Sequence, residues 1–117
     1  MAQINQHIIK KAYEAFNKRN IDEVISLMHP DVNWPNGWEG GILKGHNEVR
    51  NYWERQWKEL NPHVMPISLK EPNNGRIRVE VHQVVKDMGG NLLMDEIVIH
   101  TYTFENRLIK SMEIEKP

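Results

Sequence analysis

The longest two-residue alternation in the chain runs from Leu92 to Phe104, LLMDEIVIHTYTF. Met94, Val98, Tyr102 and Phe104 share one parity with the polar Glu96 and His100, while Asp95, Ile97, Ile99, Thr101 and Thr103 occupy the other. A strand with apolar residues on both parities is covered on both faces, so this stretch is predicted to lie centrally in a sheet. In the preceding stretch, Ile77, Val79, Val81 and Val85 share a parity with Gln83, opposite Arg78, Glu80 and His82. The first set should face a core and the second a wetter surface. Strands are predicted over Val64–Lys70, Arg76–Lys86, Leu92–Phe104 and Leu108–Glu115. The segments between them, Pro72-Asn73-Asn74-Gly75, Met88-Gly89-Gly90-Asn91 and Glu105-Asn106-Arg107, are short enough for hairpins, so the sheet should be mostly antiparallel. Strand parity turns Met112 and Ile114 inward.

The first half of the chain is patterned differently. From residue 4 to about 18, Ile4, Ile8, Ala12, Ala15 and Phe16 recur at helical spacing, with Lys10, Lys11, Glu14 and Lys18 opposite. Asn20 resembles an N-cap with Glu23 three residues on, and Ile21, Val24, Ile25 and Met28 predict a short second helix ended by Pro30. Asp31 to Trp34 is a candidate short strand. Trp34 to Gly41 is too rich in Gly and Pro to extend it and should be a loop carrying Trp34 and Trp38. Gly45-His46-Asn47-Glu48 opens a third helix whose apolar face is Val49, Tyr52, Trp53, Trp57 and Leu60, before Pro62 stops it. Three helices followed by a strongly curved antiparallel meander predict an α+β fold. Its sheet should wrap around the long helices and leave a cavity at one end.

Composition narrows the function classes. A chain of 117 residues, 39% hydrophobic and 26% charged, suggests one domain over 1–117 with a real core. A formal net charge of −1 gives no general attraction to nucleic acid or anionic membrane. The apolar runs are too short for a transmembrane span, the first residues lack a signal-peptide pattern, and the absence of cysteine fits a reducing, cytoplasmic setting. His7, His29, His46, His63 and His82 are scattered without paired spacing, so no metal site is expected. Nor is there a Gly-rich phosphate loop or a nucleophile elbow, and no cofactor is expected. Lys10, Lys11, Lys18 and Arg19 read as a solvated face.

The order of a helix, an Asn20-Ile21-Asp22 turn, a second helix, Pro30-Asp31-Val32-Asn33-Trp34, Gly45-His46-Asn47-Glu48-Val49 and a closing His100-Thr101-Tyr102-Thr103-Phe104 hairpin resembles the nuclear transport factor 2-like (NTF2-like) superfamily. Within it, the chain is most similar to the SnoaL-like branch, from about Ala12 to Ile114. The resemblance implies a cystatin-like cone with three N-terminal helices packed on a curved, mostly antiparallel sheet. It also implies a pocket for a small apolar or cyclic molecule. The superfamily includes isomerases, polyketide cyclases and hydrolases as well as non-catalytic binding or dimerisation modules, so the resemblance leaves those alternatives open. Aligned with ketosteroid isomerases, the general-base aspartate falls on Asn36, the helix-one tyrosine on Ala12 with Tyr13 adjacent, and the proton-donating aspartate on His100. An asparagine cannot take up a proton at ordinary pH, so the comparison argues against ketosteroid isomerisation while keeping a polar group in the cavity wall.

His100 is the candidate catalytic residue, because imidazole changes charge near neutral pH and can serve as acid or base. Glu96 shares its face but lies four strand residues away, roughly 13 Å, too far for a direct bond. Gln83, Tyr13 and Asn36 are the candidate neighbours. Trp34 and Trp38 could close over a cavity mouth, and Trp53, Val98, Tyr102 and Met112 complete the expected ligand-binding wall. Trp53 and Trp57, four residues apart on helix three, also suit a core or a dimer interface. Arg78, Glu80 and His82 with Ile97 and Ile99 should form the outer sheet face, a mixture suited to a homodimer interface.

Overall fold

The computed structural model describes residues 2–71 and 75–117, with side chains from Asn5 onward, so the expected turn at 72–74 and the side chain of Ile4 lie outside the described residues. The order is α1 (Ala2–Asn17), α2 (Ile21–Ser26), β1 (Met28–Pro35), β2 (Ile42–Lys44), α3 (Gly45–Glu59), β3 (Leu60–Lys70), β4 (Ile77–Asp87), β5 (Leu92–Glu105) and β6 (Leu108–Glu115). The strands form one six-stranded sheet in the order β2-β1-β6-β5-β4-β3. Every pairing is antiparallel except β1 with β6. This is the expected α+β arrangement, a curved and unclosed sheet with helices packed on it, and β5 lies inside the sheet, between β4 and β6. Among the described residues, no helix is long and apolar enough to cross a membrane.

Parity decides which residues meet the helices. Ile77, Val79 and Val81 of β4 are buried with Val98 and Tyr102 of β5, and they join Ile9 and Ala12 of α1 and Val49 and Trp53 of α3 in one core. Burying such side chains stabilises the fold by about 1.5–3 kcal/mol each. The turn after α1 is fixed by local chemistry. Arg19 adopts the left-handed conformation (φ 63°) and its backbone N–H bonds to the Phe16 carbonyl, while Asn20 N–H reaches Ala15 O. Asn20 then caps α2 as expected, its side chain accepting from Glu23 N–H. Arg19 itself departs from the expected solvated face. Half-buried, it donates to the carbonyls of Phe16 and Pro62 and to Asn61, and its guanidinium lies 5.2 Å from the Trp57 ring centroid. Asn17 makes a second tie to the sheet, donating to Val64 O at 2.7 Å and accepting from Val64 N–H at 3.0 Å.

Two boundaries near prolines differ from the sequence pattern. The second helix ends at Ser26, and Met28, expected on that helix, is the fully buried first residue of β1. Pro30 disfavours helical backbone at His29, and in a continued helix its ring would clash with the carbonyl four residues back, at Ser26, so it draws the boundary back. Pro30 then sits inside β1, where the pairing with β6 shifts register between Met28 and Asn33, so its missing N–H costs no ladder bond. Likewise α3 stops at Glu59, and Leu60, expected on its apolar face, opens β3, which runs through Pro62. The short strand β2 was not evident from its three residues. Gly45 (φ +81°) turns β2 into α3 where a Cβ would press on Pro30 O at 3.3 Å, so glycine is required there.

Candidate functional site

A cavity of about 270 Å³ lies between the concave face of the sheet, α1, α3 and the loop after β1. Its walls are mostly apolar and aromatic, with Phe16, Trp34, Trp38, Tyr52 and Trp53 facing the sheet residues Val98, Tyr102 and Met112. The aromatic wall is built from edge contacts: Trp34 meets Trp53 at 5.6 Å between ring centroids, and Phe16 meets Trp53 at 5.4 Å.

Inside this apolar shell three polar groups form a chain. Tyr102 donates its hydroxyl proton to the Tyr13 oxygen at 2.8 Å, and Tyr13 lies 2.8 Å from His100 Nδ1. His100 and Tyr102 are two residues apart on β5 and therefore share a face, while Tyr13 comes from the buried side of α1. All three are almost fully enclosed, at 6%, 2% and 5% exposure for His100, Tyr102 and Tyr13. Of the three neighbours open to His100 in the sequence, Tyr13 is the partner.

The direction of the chain fixes the imidazole tautomer. With Tyr102 donating to Tyr13, the Tyr13 proton goes to Nδ1, which must be the unprotonated nitrogen, so Nε2 carries the hydrogen. Reversing the chain would leave the buried Tyr102 proton without an acceptor among the described residues, a cost of about 1–3 kcal/mol. His100 Nε2 has no hydrogen-bond partner among the described residues, and the ring borders the cavity. Burial pushes the His100 pKa from 6.5 down to about 4, so the imidazole is neutral at pH 7. Burial also raises both phenols; for Tyr13 the neighbouring Tyr102 adds to the rise, and for Tyr102 its bond to Tyr13 offsets part of it. The site is therefore uncharged at this end and presents one N–H donor.

The loop after β1 is held shut by its own contacts. Asn36, expected in the cavity wall beside His100, turns away: its Oδ1 accepts from Trp38 and Glu39 N–H and its Nδ2 donates to Glu39. A short amide directly before a turn satisfies the turn's backbone donors at no cost in reach, so Asn36 is not in the lining. Arg55 of α3 donates to Glu39 at 2.6 Å, and the bonds from Asn36 and then Arg55 lower the Glu39 pKa. Trp38 packs on Tyr52, 6.5 Å between centroids. Burial raises the Tyr52 pKa, and its hydroxyl accepts from Gln56 at 3.1 Å.

The structure thus brings Tyr13, Trp34, Trp38, Trp53, Gln83, Val98, His100, Tyr102 and Met112 to one cavity. Tyr52, Gln56, Met94 and Glu96 also line it and were not among the expected ligand-binding residues. Met94 and Glu96 could have been found, since they share the parity of His100; Gln56 lies one turn from Tyr52 on α3. No group of three His, Cys, Asp or Glu side chains positioned to hold a metal ion occurs among the described residues.

Titration of His100 has a defined effect on stability. Its folded pKa, about 4, lies below its unfolded value near 6.5, so the unfolded chain binds the extra proton between those values. Stability from this group is complete above pH 6.5 and is lost as pH falls toward 4. At about 1.36 kcal/mol per pKa unit, the loss is roughly 3 kcal/mol. Urea unfolding of the wild type and of His100→Gln, which keeps an acceptor for Tyr13 but does not titrate, should show a steeper decline for the wild type over this range. Parallel curves would mean that burial does not lower the His100 pKa.

Comparison with known proteins agrees with this architecture. The SnoaL-like domain model matches residues 9–112. An NTF2-like protein of unknown function from Burkholderia pseudomallei K96243 superposes with a TM-score of 0.84 at 24% identity, covering 97% of this chain and 91% of that one. TerC, co-crystallised with polyporic acid, gives 0.84 at 25% identity, with 97% and 92% of the two chains covered. A candidate polyketide cyclase from Xanthomonas campestris pv. campestris gives 0.82 at 16% identity, with 96% and 89% covered. No curated protein matches the chain. With a family model spanning most of its length, the chain belongs to the SnoaL-like domain family, and it shares the fold of the NTF2-like neighbour that covers nearly all of it.

Proposed function

We propose that the chain, acting as one domain over 1–117, binds a small apolar, cyclic molecule whose carbonyl or comparable oxygen accepts a hydrogen bond from His100 Nε2. The observation that carries this reading is the Tyr102–Tyr13–His100 chain, which ends on one free N–H donor at the wall of an aromatic cavity. Aromatic walls suit a flat ring system, and the imidazole N–H set in this apolar end orients its polar end. The co-crystallisation of the structural neighbour TerC with polyporic acid supports small-molecule binding on this fold.

If the ligand is a substrate, His100 contributes by stabilising charge that develops on the bound oxygen. A neutral imidazole whose Nε2 already carries a proton is no base there, and such a donor, set in advance in a dry site, is most effective when it meets growing negative charge. Isomerase, cyclase or hydrolase action would then draw its base from another group.

This reading is tested with 4-acetylbiphenyl, a flat ketone small enough for the cavity, titrated against the fluorescence of Trp34 and Trp53. Saturable quenching is expected, weakened about five- to tenfold in His100→Phe, the value of one hydrogen bond. Equal affinity in the variant would remove His100 from the recognition.

The outer sheet face supports a homodimer as well. Ile97 is 36% and Met65 53% exposed there, flanking His82, while Thr101 Oγ1 is buried without a hydrogen-bond partner among the described residues. Arg78, Glu80, Glu113 and Glu115 lie around Ile99 and Thr101 in register, so the patch carries both signs of charge and can pair with its own copy. Light scattering should give twice the chain mass for the wild type and the single chain mass for Ile97→Glu; a monomeric wild type at micromolar concentration would rule the dimer out.

A further inference from the structure

The cavity has a second polar place that the His100 chain does not use. Glu96 of β5 and Gln83 of β4 are direct cross-strand partners, and both line the cavity from the inner face of the sheet. Val64 of β3 pairs with Gln83 on the other side, so the two polar groups stand in a row that is otherwise apolar. Directly opposed residues have Cβ atoms about 4.5–5.5 Å apart, close enough for amide and carboxylate to grip one ligand group together. Neither side chain makes a hydrogen bond or ion pair with any described residue, although both are half-buried. Met94 and Val85 lie on one side of this pair along the strands, and Val81 and Val98 separate it from the His100 end. Carboxylate oxygens only accept, and an apolar wall raises the value of any donor that reaches them.

We infer that Glu96 and Gln83 form a second ligand subsite, which takes a hydrogen-bond donor, a hydroxyl or a protonated amine, on the far end of a molecule whose oxygen is held by His100. The ligand is therefore elongated and polar at both tips. Four strand residues separate Glu96 from His100, about 13 Å along β5, which is the span of two linked or fused rings with a substituent at each end. The ends are also distinct in kind, since His100 offers a neutral donor and Glu96 a charged acceptor. A ligand with an acceptor at one tip and a donor at the other can enter in only one orientation.

This inference rests on the pocket reading above, and a pair of probes separates the two. 4-Acetyl-4′-hydroxybiphenyl carries the donor that 4-acetylbiphenyl lacks, and the two are otherwise alike. The wild type should bind the hydroxylated probe about tenfold more tightly, the scale of one hydrogen bond to a charged group. Glu96→Ala should abolish that preference, and Gln83→Leu should reduce it. His100→Phe should weaken both probes and keep their ratio. If the wild type binds both equally and His100→Phe still weakens them, the subsite is wrong and the pocket reading stands. Failure of both probes to bind the wild type at millimolar concentration would overturn the pocket reading and the subsite together.

Discussion

The site depends on a requirement that applies to any apolar interior: each buried polar group must find a partner. Two phenols and an imidazole enter the core from α1 and β5, and only one arrangement of their protons satisfies all the internal contacts. That arrangement makes Tyr102 the first donor, Tyr13 the relay and Nδ1 the last acceptor. It also docks α1 on the sheet, because Tyr13 can reach His100 and Tyr102 at 2.8 Å only when its helix lies across the row that β5 presents. Burial then removes charge from the same group, since a cation enclosed by aromatic rings lacks the hydration that stabilises it in water. A residue type associated with proton transfer near neutrality becomes a fixed neutral donor.

The rest of the cavity follows from how the sequence distributes its polarity. The Trp34, Trp53 and Phe16 rings supply area and shape, and the loop that carries Trp38 is pinned by Asn36, Glu39 and Arg55 rather than by contact with a ligand. Arg19 and Asn17 attach the end of α1 to the beginning of β3, which keeps the helix side of the cavity in register with the sheet side. On the inner strand face, His100 Nε2 and the Gln83–Glu96 pair keep hydrogen-bonding capacity that no described residue takes up.

The sheet was legible in the sequence because parity is strict where one face is buried: a slip of one residue in β4 would expose Ile77, Val79 and Val81 together. The Asn20 cap and the hairpin at Asn106-Arg107 were legible for local reasons. In that hairpin both residues have positive φ, as a two-residue turn between Glu105 and Leu108 requires. Boundaries at proline were not, because Pro30 and Pro62 read as helix stops while the structure uses them inside strands, at a register shift and near a strand end. The role of Asn36 was hidden for a related reason: a side chain that closes its own turn looks, in sequence, the same as one that faces a ligand. The Tyr13–His100 bond spans 87 positions, and no spacing rule reaches that far. Strand parity made His100 and Tyr102 partners on one face, but only the packing of α1 selects Tyr13 over Gln83 or Asn36.

Nitrogen NMR of the imidazole, with histidines labelled and His100→Gln used to assign the resonance, tests the central claim most directly. At pH 7 the account predicts a neutral ring with a pyridine-type Nδ1 and a protonated, pyrrole-type Nε2, unchanged down to about pH 5 because the pKa is held near 4. A protonated Nδ1, or an imidazolium at pH 6, would contradict it.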